Sequence, residues 1–122
     1  MYGAQEAVRE SSIEKHLTRA VEARGGVALK FVSPGSAGVP DRLVLMPGGR
    51  CGLIELKAPG QRPRPLQLRW LERLAGLGIP CGWSADRDEI DRWVAALAGA
   101  QEAGLPGRKS ASTAPRRRGA LS

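Results

Sequence analysis

Only two cysteines and one histidine occur in the 122 residues, and no apolar run approaches the ~18 residues of a membrane-spanning helix. Cys51 and Cys81 each sit inside an apolar run without metal-ligand spacing, so both are expected as buried free thiols, and no disulfide framework or thiolate metal site is implied. The single histidine, His16, falls on a helical segment away from the carboxylates that matter below, which makes it a solvated residue before a ligand. A charged-then-apolar signal pattern is missing from the first residues, and a cytoplasmic protein is expected. Acidic residues are absent after Leu105, where Arg108, Lys109, Arg116, Arg117 and Arg118 account for five of the net +7 charges and leave the preceding residues at +2. A basic tail beside a nearly balanced domain suggests a polyanionic partner, nucleic acid before membrane, because no basic amphipathic helix accompanies it. A solvated tail that only aids solubility is the competing reading.

Apolar residues make up 42% of the chain and recur periodically, enough for one core and too few residues for two. Residues 1–103 are expected as one domain, and 104–122, rich in Gly, Ser, Pro and Arg, as a disordered tail. Ser11 and Ser12 offer helix caps, and Ile13, Leu17, Ala20 and Val21 keep helical spacing up to Gly25-Gly26, so a first helix is expected to start between Glu6 and Ser12. Val27 to Val32 is β-prone, and the loop from Ser33 to Gly38 follows it. Leu43 to Met46 and Cys51 to Leu56 flank Pro47-Gly48-Gly49 as a β-hairpin. Pro65 opens a helix with an apolar stripe of Leu66, Trp70, Leu71, Leu74 and Leu77. Ile79 to Ser84 gives a fourth strand, and Asp86 or Asp88 caps a last helix with Ile90, Trp93, Val94 and Leu97 inward. The order αβββαβα predicts an α/β fold, a mixed central sheet flanked by helices, with a right-handed crossover between strands three and four.

Folding the hairpin about Gly48 brings Asp41, at the entrance of strand two, level with Glu55 near the end of strand three. Residues two apart on a strand share a face, so Glu55 and Lys57 project together. Two carboxylates beside a lysine suit a hard divalent cation, which takes a few carboxylate oxygens and keeps positions open for a phosphate. In that chemistry Lys57 positions water or offsets charge developing on the phosphate. An exposed Glu-x-Lys pair and an ordinary turn aspartate are the bland alternative, and spacing alone favours it.

The wider pattern resembles a known family. Gly38-Val39-Pro40-Asp41-Arg42, then Glu55-Leu56-Lys57, then Gln67 at the start of the next helix, is similar to the virus-type replication-repair nuclease (VRR-NUC) domain of the PD-(D/E)xK superfamily. The likeness runs from about Glu10 to Leu97 and includes Gly25-Gly26, the segment Lys30 to Gly35 and the Pro47-Gly48-Gly49 turn. It implies a restriction-endonuclease-like core, ligation of Mg²⁺ or Mn²⁺ by Asp41, Glu55 and the Leu56 carbonyl, and Lys57 as catalytic lysine. It also implies a DNA substrate and a compact dimeric design like that of Holliday junction resolvases.

The family carries a further glutamate on helix one, for which Glu10 and Glu14 compete. Counting helical and strand rise puts Glu10 nearer the level of Asp41, while Ser11-Ser12-Ile13-Glu14 fits a capping box that would occupy Glu14. The resemblance gives Gln67 a place facing the site, on the metal's water or the DNA backbone, and gives Lys30 and Ser33 DNA contacts. Arg42 faces the other side of its strand, so a structural ion pair and a DNA role are both open. Trp70, Trp83 and Trp93 fall in apolar stripes and are core or interface before they are base-stacking platforms. The reading that follows is an endonuclease cutting Holliday or other branched DNA as a homodimer, Leu68 and Leu71 of helix two supplying surplus apolar surface. A nicking or restriction-like nuclease on linear duplex, and a non-catalytic DNA-binding protein that keeps the fold, are the alternatives.

Overall fold

A computed structural model describes residues 2–103, with side chains from Arg9 to Gly99. The element order is α1 (Tyr2–Glu22), β1 (Val27–Lys30), β2 (Arg42–Met46), a 3-10 turn (Pro47–Gly49), β3 (Arg50–Leu56), α2 (Pro65–Gly76), β4 (Cys81–Ser84) and α3 (Arg87–Ala103). The expected α/β order is therefore present, and the expected tail lies outside the described residues. The four strands form one mixed sheet in the order β1-β2-β3-β4, antiparallel except for β3 and β4, which run parallel across the α2 crossover.

One face of this sheet is closed. Val44, Met46, Ile54 and Leu56 point to it, and α1 lays Ile13, Leu17 and Val21 on them while α3 adds Ile90, Trp93, Val94, Leu97 and Ala98. The spacing of Ile13, Leu17 and Val21 puts three side chains on a single helical stripe. Burying each such side chain contributes about 1.5–3 kcal/mol. Gly52 is part of this fit, because a Cβ there would stand 2.9 Å from the Pro80 carbonyl oxygen and 3.1 Å from the Trp93 ring.

The other face is half covered. Helix α2 buries Leu71 over β4, where the Cys81 thiol donates to the Leu71 carbonyl at 3.4 Å. Burial pushes that thiol up to about 11. Over β1 and β2 nothing described lies on the sheet, and Val27, Leu29, Phe31 and Leu45 keep 37–44% of their surface in solvent.

Several boundaries differ from the sequence expectation. Helix α1 begins at Tyr2, so Ser11 and Ser12 are interior residues and neither caps it. The preceding Ala, Gln, Glu and Arg residues are good helix formers, and serine costs a helix interior only a few tenths of a kcal/mol. The capping box expected for Glu14 is not formed, and Ser12 accepts a hydrogen bond from Arg87 of α3. Strand β1 ends at Lys30, and β4 begins only after Pro80, which has no N–H to give a ladder. Helix α3 continues past Gly99 to Ala103, since tertiary packing of Leu97 and Ala98 outweighs a single glycine. Its cap is Asp86, whose carboxylate accepts from the Glu89 N–H at 2.9 Å. On α2 the apolar stripe is displaced: Leu66 and Leu77 are exposed, and the buried residues are Gln67 and Leu71. Cys51 is exposed, not buried, because it points to the open face beside Leu45.

Candidate active site

The hairpin register sets the site. Arg42 pairs with Ile54, so Asp41, one residue earlier, stands opposite Glu55, and the Asp41 carbonyl accepts from the Phe31 N–H at 2.7 Å, extending the ladder past β1. Asp41 is held from behind by the fully buried Pro40 and by Gly38. Gly38 has φ +92°, and a Cβ on it would come within 2.8 Å of Leu66 and 3.2 Å of Trp70, so the loop lies directly on α2 only because that residue lacks a side chain.

Glu55 is 6% exposed, unusual for a carboxylate. Its Oε2 accepts from Gln67 Nε2 at 3.1 Å and lies 3.6 Å from Lys57 Nζ. Burial first, then the charge of Asp41, pushes its pKa from the ordinary 4.5 up to about 7; Lys57 pulls it down and Glu10 adds a smaller upward push. Two carboxylates thus repel each other in a poorly solvated place, with one lysine as incomplete compensation. A divalent cation fits this donor set, because it would remove the repulsion and Mg²⁺ commonly takes one or two carboxylates with the rest water. Among the described residues no three histidine, cysteine or acidic side chains form a ready cage. The donors are a pair, with any third supplied from α1.

The two α1 glutamates are placed differently. Glu14 Oε2 lies 2.6 Å from Arg42 Nη2, on the closed face of the sheet. The same contact engages Arg42 in an ion pair. Glu10, a turn earlier, is the α1 carboxylate whose charge reaches Glu55. Gln67 is engaged at both ends: its amide N–H donates to Glu55 and its carbonyl accepts from the Arg64 N–H at 2.8 Å, closing the first turn of α2. It thereby ties the Glu55 carboxylate to the helix. Lys30 is exposed and Ser33 half-exposed in a turn where its carbonyl accepts from the Ser36 N–H at 3.2 Å. His16 bonds Asp91 at 2.8 Å, tying α1 to α3 remote from the carboxylates.

Trp83, expected from its apolar stripe as core or interface, is not core. It pairs with Glu55 across β3 and β4 and so shares its face, half-exposed, with the Arg62 guanidinium 5.9 Å from its ring centroid. A four-residue strand does not reveal which face a helix will cover, and only Trp93 of the three tryptophans is core.

With this geometry in hand, comparisons with known proteins are specific. The model of the VRR-NUC domain matches residues 4–83. "Putative nuclease p44" of Acyrthosiphon pisum secondary endosymbiont phage 1 is 58% identical over 71 residues, covering 58% of this chain and 76% of that protein. A solved structure described as a VRR_NUC domain superposes with a TM-score of 0.65 at 30% identity, covering 70% of this chain and 94% of the other.

Proposed function

The chain belongs to the VRR-NUC domain family, and from that premise we propose that it is a metal-dependent endonuclease hydrolysing DNA phosphodiester bonds at the centre formed by Asp41, Glu55 and Lys57. The observation that carries this reading is the buried Glu55, whose proton affinity is raised by burial and by the facing Asp41. Such a carboxylate is costly to keep ionised without a cation. Asp41, Glu55 and the Leu56 carbonyl would hold Mg²⁺ or Mn²⁺, with Glu10 as the carboxylate from α1. The ion supplies charge neutralisation and Lewis acidity at the scissile phosphate. Gln67 keeps Glu55 in one orientation. Lys57 provides the cation that meets negative charge as it develops on the phosphate oxygens, and it acts best where burial lowers the local dielectric. Lys30 at the end of β1 and Ser33 in the loop after it are assigned DNA-backbone contacts on the family resemblance.

Branched DNA, a four-way junction above all, is the proposed substrate, and a homodimer the proposed assembly, since paired incision needs two sites about a two-fold axis. Exposed Leu66, Leu68 and Leu77 keep apolar surface on α2, and the sheet adds to it. Leu71 is core, whereas Val27, Leu29, Phe31 and Leu45 form an open apolar face that ends at the carboxylates. A second copy on that face would exclude water from it.

The test is cleavage of four-way, flap, splayed and linear DNA by the purified chain with Mg²⁺ or Mn²⁺, with Asp41→Asn as control. Metal-dependent cutting abolished by Asp41→Asn is expected. Binding without cutting under either metal would support the non-catalytic alternative, and equal cutting of linear duplex would support the nicking or restriction-like one. Light scattering after size exclusion should give twice the 13.0 kDa chain mass; a value near one chain refutes the dimer.

A further inference from the structure

We propose that Arg62, held against Trp83, is a DNA-phosphate contact that seats the nucleotide beside the scissile bond; this rests on the nuclease reading above and adds to it a residue outside the set Asp41, Glu55 and Lys57. The placement follows from the sheet. Glu55 and Trp83 are register partners on parallel neighbours, so their backbones stand one strand spacing, ~4.8 Å, apart and their side chains leave the same face of the sheet. Arg62 covers that ring at 5.9 Å from guanidinium carbon to centroid. A guanidinium lying on an aromatic ring leaves its N–H edge outward, in the fork that matches two phosphate oxygens.

The segment that carries Arg62 is held at both ends. The Gln61 N–H donates to the Ala58 carbonyl at 2.9 Å, Gly60 turns the chain at φ +88°, Pro63 is buried, and the Arg64 N–H is bonded to Gln67. Arg62 is exposed, yet its backbone has little freedom, so less ordering is required when a phosphate arrives. Its charge is also unengaged: among the described residues the side chain makes no hydrogen bond or ion pair, while Arg42 is paired with Glu14 and Lys57 faces Glu55. The residue opposite Arg62 in role is Arg73, which covers Trp70 at 5.3 Å within α2 itself. That pair spans one turn of a helix and has no catalytic carboxylate as strand neighbour, so it has no equivalent task. Trp83 acts as the positioning residue and Arg62 as the contact.

Binding of labelled duplex and four-way DNA to the full chain in EDTA, over a salt series, tests this without turnover. Arg62→Ala should weaken binding roughly tenfold, the scale of one charge-assisted hydrogen bond. It should lower the slope of log K against log salt by roughly 0.9 on duplex. Arg62→Lys should restore the slope but only part of the affinity, because an ammonium keeps the charge and loses the fork. Trp83→Leu, or Trp83→Phe if the leucine variant melts early, should weaken binding in the parent and add nothing to Arg62→Ala. Parent affinity and slope in Arg62→Ala overturn the proposal, as does a Trp83 effect that persists undiminished in the Arg62→Ala background. If Asp41-dependent cleavage is intact while Arg62→Ala binds like the parent, only this inference fails. A parent chain that neither binds nor cuts DNA defeats the nuclease reading itself.

Discussion

The two faces of the sheet are built on opposite terms. Under α1 and α3, Val44, Met46, Ile54 and Leu56 meet Ile13, Leu17, Ile90 and Val94, and every one of them is buried. On the other face the same strands carry Asp41 and Glu55 at one end and exposed Leu29 and Leu45 at the other, with α2 covering only the part nearest β4. The hairpin alternates so that each residue serving one face is followed by one serving the other. Core and candidate site thereby share the same seven-residue strand β3, through Ile54 and Leu56 toward the core and Glu55 toward the candidate site. A repelling pair of carboxylates is tolerable because the opposite face supplies the apolar burial.

Breaking each face separately should give opposite signatures. On the site face, Asp41→Ala and Lys57→Ala should lower the cleavage rate by more than about a hundredfold, the scale of losing one transition-state charge contact. Both should melt near the parent temperature, and robust cleavage by either, free of contaminating nuclease, would remove that residue from the centre. On the core face, Leu17→Ala should cost about 2–5 kcal/mol of unfolding free energy, because its neighbours cannot close the cavity. Urea titration checks this, and a cost below the range would show α1 to be loosely docked.

Glu55 links the faces, since its burial comes from the fold and its charge belongs to the site. A carboxyl whose folded pKa is about 7 against an ordinary 4.5 binds its proton more tightly when folded. Folding therefore draws an advantage from the protonated form at low pH and loses it as pH rises through that window. The metal-free protein should lose stability between pH 4.5 and 7 relative to Glu55→Gln, which should be inactive and the more stable of the two at pH 7. Melting in EDTA across that range measures it. Parallel pH profiles for the two proteins would mean that Glu55 is better solvated than its 6% exposure implies.

The smallest expected effects separate the two α1 glutamates. Glu14→Gln should cost about 1 kcal/mol or less, through the partly exposed ion pair with Arg42, and leave cleavage close to normal. Glu10→Gln should barely change melting and reduce metal-dependent cutting. The reverse pattern in paired melting and cleavage assays would return the ligand role to Glu14.

The sequence by itself determined the order of elements, the αβββαβ frame and the convergence of Asp41, Glu55 and Lys57, because those depend on periodicities of two and about 3.6 residues and on a turn marked by Pro47-Gly48-Gly49. It also determined the inward face of α3, where apolar spacing has one solution. What tertiary structure decided is everything that depends on which partner a side chain meets. Glu14 looked like a cap because Ser11 and Ser12 precede it, yet an upstream helix turn and Arg42 changed its role. Gln67 lies outside the apolar stripe and is nevertheless buried with Leu71, since a carboxylate waits for it on β3. Apolar neighbours in sequence predict a buried thiol at Cys51 and a core or interface ring at Trp83, but the sheet has one closed face and one half-open face, and local pattern carries no record of how far a distant helix reaches across it.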